Sequence, residues 1–286
     1  MTTPRTIETT RGMQETAEAW RRQGLRVGLV PTMGYLHEGH LSLVDRCRQE
    51  SDVTVVSIFV NPLQFGPAED YAVYPRDLER DLGLLAERGV EAVFHPSVEE
   101  VYPPGFATHV EVSGLTEGLC GAFRPGHFRG VTTVVTKLFT AVRPHVAVFG
   151  QKDYQQAAVI RRLERDLNLG IRIAVSPTVR EADGLAMSSR NVNLTAEERA
   201  RAPVLFAALS WAREQILAGQ RETAPLATRI RQQIQAGLTE RIDYVEVADA
   251  ETLAPVRRIA GRAVIALAVR VGRVRLIDNV VVEPPG

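Results

Sequence analysis

Lysine is nearly absent from this sequence. Lys137 and Lys152 are its only two among 34 basic side chains, the others being arginine. Where arginine is the default cation, a surviving lysine can mark a place that needs a compact, mobile ammonium and not a planar guanidinium. Chance survival is the alternative, and for Lys137, inside the helical run VTTVVTKLFTAV, the choice stays open. Cysteine is scarce as well. Cys47 and Cys120 have no CxxC spacing and fall in segments that read as helix and loop, which excludes a disulfide framework or a cysteine zinc site and fits a reducing compartment. No apolar run approaches the roughly 20 residues that span a bilayer, and the opening residues MTTPRTIETTRG carry no apolar stretch of signal-peptide length. A cytoplasmic protein without a membrane partner is expected. Excess charge is missing too: 34 acidic side chains balance the 34 basic ones, so nothing advertises a nucleic-acid partner. Repeats, low-complexity tracts and charge blocks do not occur.

What is present is a grammar of alternation. The 286 residues suffice for one large domain or two modest ones. From residue 10 to about 175, helix-like and strand-like segments alternate, the pattern of a parallel sheet with crossover helices. An amphipathic stretch from Thr10 to Gln23 ends at Gly24, LRVGLVP reads as a buried strand, and TMGYLHEGH opens a helix through LSLVDRCRQE. VTVVSIFV, EAVFHP, HVAVFG and IRIAVSP read as further strands, with RDLERDLGLLAER, capped by Gly89, and VTTVVTKLFTAV among the helices between them. Beyond Ser188-Ser189-Arg190 two long helical segments, roughly 195–218 and 224–238, precede the strands IDYVEVAD, RAVIALAVRV and RVRLIDNVVVE, with Gly272 suited to a hairpin between the last two. The fold class is therefore α/β. A Rossmann-like doubly wound parallel sheet is expected over residues 1–178, and a smaller C-terminal α+β domain over 179–286.

The densest chemistry lies at His37-Glu38-Gly39-His40, after a strand and at the mouth of a helix. Three residues apart, His37 and His40 share a face of the first turn, where open backbone amides and the helix dipole attract phosphate. Gly34 and Gly39 let the main chain approach a nucleotide closely. Two imidazoles can donate hydrogen bonds as charge shifts during attack at an α-phosphorus, and one can protonate the leaving group. Met187-Ser188-Ser189-Arg190 supplies two hydroxyls and a guanidinium for phosphate oxygens, at the point where a closing loop would lie. Gly150-Gln151-Lys152-Asp153 follows a strand and should leave the same carboxyl edge as HEGH, where ligands of open α/β sheets bind. Lys152 is assigned to phosphate there; Asp153 either orients it or caps the next helix. The amides Asn61, Gln64, Gln155 and Gln156 suit a substrate with hydroxyls and a carboxylate about to lose its charge, loop polarity being the plainer reading of any one of them.

HEGH and MSSR together resemble the nucleotidylyl transferase and class I aminoacyl-tRNA synthetase group, in which HIGH-like and KMSKS-like segments embrace ATP. Here serine and arginine stand where synthetases have lysines. The stretches VPTMGYLHEGHLSLV, VVSIFVNPLQFGPAEDYAVYPRDLERD, RPGHFRGVTTVV, FGQKDYQQ and PTVREADGLAMSSRNVNL narrow the resemblance to the pantothenate synthetase family, the pantoate–β-alanine ligases. That resemblance implies transfer of AMP from ATP to pantoate, then attack of β-alanine's amine on the adenylate. It places Met33, Gly34, Tyr35, Leu36, His37, Glu38, Gly39 and His40 in the ATP site, with His40 as proton donor. Gly150, Gln151, Lys152, Asp153, Val179, Met187, Ser188, Ser189 and Arg190 match further ATP contacts, while Gln64 and Gln156, with Asn61 nearby, match contacts to pantoate or β-alanine. The catalytic set is His37, His40, Lys152, Ser188, Ser189 and Arg190. Mg²⁺ accompanying ATP and a homodimer are implied in the same way. No metal cluster is legible, Asp81 being the weak candidate, since magnesium usually keeps water and phosphate ligands. Beyond residue 194 the match thins to LIDN at Leu276–Asn279.

Two other readings fit part of this pattern. An adenylyltransferase acting on a phosphate ester would use the same two nucleotide segments, and an ATP-binding sensor would use the sheet without turnover but leave Gln64, Gln156 and Lys152 unexplained. A tRNA synthetase lacks its basic anticodon module here. Among the remaining histidines, His95, His109 and His145 are scattered, whereas His127 lies between Arg124 and Arg129 and is the first to test after the HEGH pair.

Overall fold

Strand propensity and complete burial coincide in VGLVPT and VTVVSI, where Val27, Leu29, Val30, Val55 and Val56 are inaccessible to solvent. Such runs belong to strands covered on both faces. The computed structural model describes residues 3–67, 69–239 and 241–285. In chain order it contains β1 (Arg5–Ile7), α1 (Thr10–Arg22), β2 (Val27–Thr32), α2 (Glu38–Glu50), β3 (Val53–Ile58), α3 (Leu78–Glu87), β4 (Ala92–Phe94), α4 (Val98–Val101), α5 (Cys120–Phe123), α6 (His127–Val142), β5 (Val146–Gly150), α7 (Tyr154–Leu167) and β6 (Arg172–Ser176). There follow α8 (Ala196–Arg201), α9 (Val204–Leu217), α10 (Thr223–Gly237), β7 (Ile242–Asp249), β8 (Ala263–Val271) and β9 (Val274–Val282).

The first six strands form one sheet in the order β1-β4-β3-β2-β5-β6, with every pairing parallel. Helices cover both faces, giving the expected Rossmann-like fold. Val30, Val56, Val93 and Val148 point into one cluster with Leu41, Val44 and Cys47 of α2 and Leu85 of α3. Their strand neighbours Leu29, Val55, Ala92 and Ala147 are equally buried but lie outside that cluster; α1 and α6 pack on each other and on β2. Strand order reverses between β2 and β5, so the turns leaving these two strands flank the switch point at which open α/β sheets bind ligands.

The last three strands form an antiparallel sheet, β7-β8-β9. Val271 pairs with Val274 across the β8–β9 turn, whose Gly272 has a φ of +55°, the left-handed conformation that a tight hairpin requires. Leu205, Leu209 and Ile216 of α9 and Ile230 and Ile234 of α10 make a core with Ile265, Leu267 and Leu276 of the sheet.

Contacts divide the chain into two units. One comprises the chain up to Ser113 together with Arg124–Gln151 and Gln156–Pro177; the other comprises Gly114–Phe123, Lys152–Gln155 and the chain from Thr178 onward. Three local expectations are corrected. The helical segment expected over 195–218 is two helices, because Pro203 lacks an N–H and cannot continue α8. Cys120 opens the short helix α5 instead of lying in a loop. β1 has no counterpart among the expected strands; three residues are too few to show a period, and they become a strand by pairing with β4. Both cysteines are buried and unbridged. Among the described residues no helix is long and apolar enough to cross a membrane.

Candidate active site

The turn leaving β2 is held from three directions. Thr32 donates its hydroxyl to the Ser57 carbonyl at 2.7 Å and accepts from the Gly34 amide at 3.2 Å. Gly34 and Tyr35 both take positive φ, +84° and +51°; at Gly34 a Cβ would meet Ile58 and the Asp81 carboxylate. Asp81 is 1 % exposed and accepts from the amides of Tyr35 at 2.7 Å and Leu36 at 2.8 Å, one to each oxygen. Burial raises the Asp81 carboxyl above its ordinary pKa, with these two amides and the Arg80 guanidinium acting in the opposite sense. In the sequence Asp81 is a metal candidate. What it visibly does is hold the main chain in the conformation that delivers His37 to the start of α2.

There His37 is the N-cap, in extended conformation, and its Nδ1 accepts from the Gly39 amide at 3.1 Å. His40 occupies the third helical position and its Nδ1 accepts in return from the His37 amide at 3.4 Å, a capping box built from two imidazoles with ring centroids 4.0 Å apart. A ring nitrogen that accepts from an amide carries no hydrogen, so each neutral ring holds its hydrogen on Nε2 and is a donor there. The amides of His37 and Gly39, at this helix mouth, orient these two donors. Glu38 is exposed and paired with Arg88 at 3.2 Å. A cavity of about 190 Å³ adjoins this turn, lined by Met33, Gly34, Tyr35, Arg76, Asp81 and His95 among others.

Gln64 lies in the same unit, its Nε2 3.0 Å from the Met33 sulfur. It sits on a 3-10 turn, Pro62–Gln64, that begins at buried Asn61. The Asn61 amide group donates to Gln64 Oε1 and to the Gly130 carbonyl, both at 3.1 Å, while its oxygen accepts from the Tyr102 hydroxyl at 2.8 Å. Burial pushes the Tyr102 phenol well up, so it stays a donor. Asn61 thus works on Gln64. His127 holds the same turn: its Nδ1 is 2.8 Å from the Gln64 carbonyl, and its Nε2 is 3.1 Å from Arg124, which reaches that carbonyl as well. Nδ1 therefore donates and Nε2 accepts. Arg124 pairs in turn with Glu69. Burial alone would raise the Glu69 carboxyl, but the Arg124 hydrogen bond and charge outweigh it and leave it below the usual range.

In the second unit, Met187 donates its amide to the Val179 carbonyl at 3.0 Å and Glu181 donates to Leu185 at 2.8 Å, so two matched ATP positions close a small hairpin. Ser188 caps the 3-10 turn Ser189–Asn193, accepting from the Arg190 amide, and Ser189 is buried. Lys152 and Ser188 line one narrow crevice with Asp278. The Lys152 ammonium stands 3.9 Å from Asp153. The neighbouring glutamines of α7 part ways. Gln155 is buried, accepting from the Cys120 amide and donating to the carbonyls of Leu115 and Gly118, which makes it structural, whereas Gln156 is half-buried. Gly150 ends β5, and Gln151 begins the 3-10 turn that carries Lys152.

Other expectations resolve simply. Lys137 stands over the Phe106 ring at 5.2 Å, a cation–π contact. His109 meets the same ring edge-on. His145 accepts from the Val27 amide at the amino edge of the sheet, away from the strand ends that carry the site, and burial, with the charges of Arg21 and Arg26, lowers its pKa. Asp81, Arg124 and His127 are the residues whose positioning work the sequence did not disclose; only the arginine-flanked His127 in RPGHFRG gave a signal.

Residues 5–281 match the family model described as pantoate-beta-alanine ligase. Among curated proteins the chain is 60 % identical over 277 residues to the pantothenate synthetase of Moorella thermoacetica, covering 97 % of this chain and 98 % of that one. Among solved structures it is similar to the pantothenate synthetase of Thermus thermophilus, with a TM-score of 0.92, 49 % identity and coverage of 98 % and 100 %. It is also similar to the Francisella tularensis pantoate-beta-alanine ligase complexed with beta-gamma ATP and beta-alanine, with a TM-score of 0.78, 33 % identity and coverage of 97 % of each chain.

Proposed function

The chain belongs to the pantoate-beta-alanine ligase family, and from that premise we propose that it joins (R)-pantoate to β-alanine, consuming ATP and releasing AMP and pyrophosphate through a pantoyl adenylate. A pantoate carboxylate oxygen attacks the α-phosphorus as the bond to the bridging oxygen breaks, and pyrophosphate leaves. The amine of β-alanine then attacks the adenylate's carbonyl carbon, AMP departs, and the nitrogen loses its proton as the amide forms.

The reciprocal His37–His40 cap carries this reading, because it orients two Nε2 donors at the mouth of α2. Donors set before charge develops need no reorganisation during reaction. We assign them to the triphosphate, with His40 donating an Nε2 hydrogen bond to the leaving pyrophosphate while keeping its proton, since a neutral ring that gave it up would be left an imidazolate. Met33–Leu36, Glu38 and Gly39 complete the first unit's ATP contacts with Gly150 and Gln151. Lys152, Asp153, Val179, Met187, Ser188, Ser189 and Arg190 are assigned to the same nucleotide, and the cations among them stabilise charge on the phosphates. Gln64 and Gln156 take the pantoate hydroxyls and carboxylate, with Asn61 holding Gln64 in place.

Mg²⁺ enters this scheme on ATP. Among the described residues no group of three or more His, Cys, Asp or Glu side chains forms a cage, and each Asp81 oxygen already takes an amide. Phosphate oxygens and water are the fitting ligands, and the ion's contribution is to neutralise the departing pyrophosphate. A cytoplasmic homodimer is the accompanying assignment, the oligomer being testable by light scattering.

Pantoate alone should support isotope exchange between pyrophosphate and ATP, with AMP freed only when β-alanine is added. Folded, ATP-binding protein that gives no exchange would refute the adenylate. AMP retained in a product would point to an adenylyltransferase.

A further inference from the structure

Leu276-Ile277-Asp278-Asn279, the C-terminal motif left without a role, lies in β9. Successive residues of a strand point to opposite faces. Asp278 follows the face of Leu276 and Val280, which enter the hydrophobic core, and Asn279 takes the other; both are 3 % exposed. A carboxylate and an amide buried side by side in a strand need partners, and their partners are the two segments of this unit assigned to ATP.

Asp278 accepts a two-pronged hydrogen bond from Arg180, Oδ2 from Nη1 at 2.7 Å and Oδ1 from Nη2 at 2.9 Å. Arg180 also donates to the Gly184 carbonyl at 3.1 Å and lies 3.6 Å from the centre of the Phe206 ring. It thereby ties down the hairpin from Val179 to Met187 that leads into Ser188-Ser189-Arg190. Gly184, at a φ of +94°, turns where any Cβ would strike Phe206. On the other face, Asn279 Nδ2 donates to the Lys152 carbonyl at 2.9 Å, while its own amide donates to Asp278 Oδ1 at 2.7 Å. One dipeptide therefore grips both the lysine turn and the serine hairpin, and Lys152, Ser188 and Asp278 border the same crevice.

We infer that Asp278 and Asn279 are positioning residues for the ATP chemistry: Asn279 sets the Lys152 turn through its main-chain carbonyl, and Asp278 sets the Ser188–Arg190 segment through Arg180. Neither touches substrate. The inference rests on the ATP role proposed for Lys152. If Asn279 acts through Lys152, removing both side chains should cost little more than removing Lys152 alone, whereas a merely structural loss would multiply with it.

The test is a double-mutant cycle of Asn279→Ala and Lys152→Ala, read by pantoate-dependent pyrophosphate–ATP exchange and by thermal unfolding. Asn279→Ala is expected to lower kcat/KM for ATP by about tenfold or more, leave the KM for pantoate within about twofold, and lower the activity of Lys152→Ala by less than about twofold. Asn279→Asp, which keeps the volume but turns an oxygen toward the Lys152 carbonyl, should show the same ATP-specific loss, and it decides the matter if the alanine variant does not fold. Wild-type kinetics in a folded Asn279 variant, equal loss toward ATP and pantoate, or full multiplication with Lys152→Ala overturns the inference. Absent exchange in the wild-type protein would instead refute the adenylate reading itself.

Discussion

Gly130 in α6 lies so close to Leu63 that a Cβ placed on it would fall on the Leu63 carbonyl and 2.7 Å from the Gln64 amide. The helix and the turn carrying Gln64 meet backbone to backbone, sealed by the Asn61 bond to the Gly130 carbonyl. A methyl group there has to push Gln64 away, since both surfaces are main chain.

Gly130→Ala is therefore expected to raise the KM for pantoate and to lower kcat/KM for it by about tenfold or more, a displacement near 1 Å being enough for that. The KM for ATP should move less. Steady-state kinetics with each substrate varied decides it; unchanged pantoate kinetics would remove Gln64 from the pantoate site.

His40→Ala takes away one Nε2 donor and uncaps the His37 amide. A loss in the exchange rate of about 10² or more is expected, the range for losing a charge-stabilising donor. ATP binding measured by calorimetry should weaken much less. Near-intact turnover would cancel the charge-stabilising role assigned to His40.

Asp81→Ala strands the amides of Tyr35 and Leu36 in a turn that already carries two positive φ values. Leaving a buried donor unsatisfied costs roughly 1–3 kcal/mol, and urea unfolding should show a loss of at least that size. Asp81→Asn, which keeps an accepting oxygen, should lose less. An equal loss in the two variants would mean that bulk and not hydrogen bonding matters at this position.

Glu69 gives a pH signature. Against the upward pull of burial, Arg124 holds its carboxyl below the ordinary value, so its contribution is present above the unfolded pKa near 4.5 and disappears as pH falls through the lower, folded one. Glu69→Gln should lower the melting temperature at pH 7, and the gap from the wild-type chain should close on acidification below pH about 4. A gap that stays constant over that range would show that the pair adds nothing to stability. Because Arg124 also holds the Gln64 carbonyl, the same variant should raise the KM for pantoate.

That the two imidazoles of HEGH cap each other's turn was not legible in the sequence; the place of HEGH was, because a helix mouth after a buried strand is itself a local pattern. The second hairpin was legible through Gly272 for the same reason. Val179 and Met187 stand out one by one, and their mutual hydrogen bond emerges only from the fold. Asn61 reads as a substrate contact because an amide in a loop looks available; nothing local shows that Tyr102 and Gly130 already occupy it. Gln155 and Gln156 are equivalent on paper, yet one faces Cys120 and Leu115 and is used up there.

Residue order alone was enough for the alternation of strand and helix, the place of the histidine pair, and the family to which the chain belongs. These depend on contacts one helical turn or one strand step apart, which consecutive side chains encode directly. Folding was needed to reveal that Asp81 braces the turn before His37, that Gly130 admits the Gln64 turn, and that Asn279 reaches the Lys152 carbonyl. Those pairings join segments far apart in the chain. Their partners are chosen by strand order and by which face of a strand or helix each residue occupies, and no local pattern contains that information.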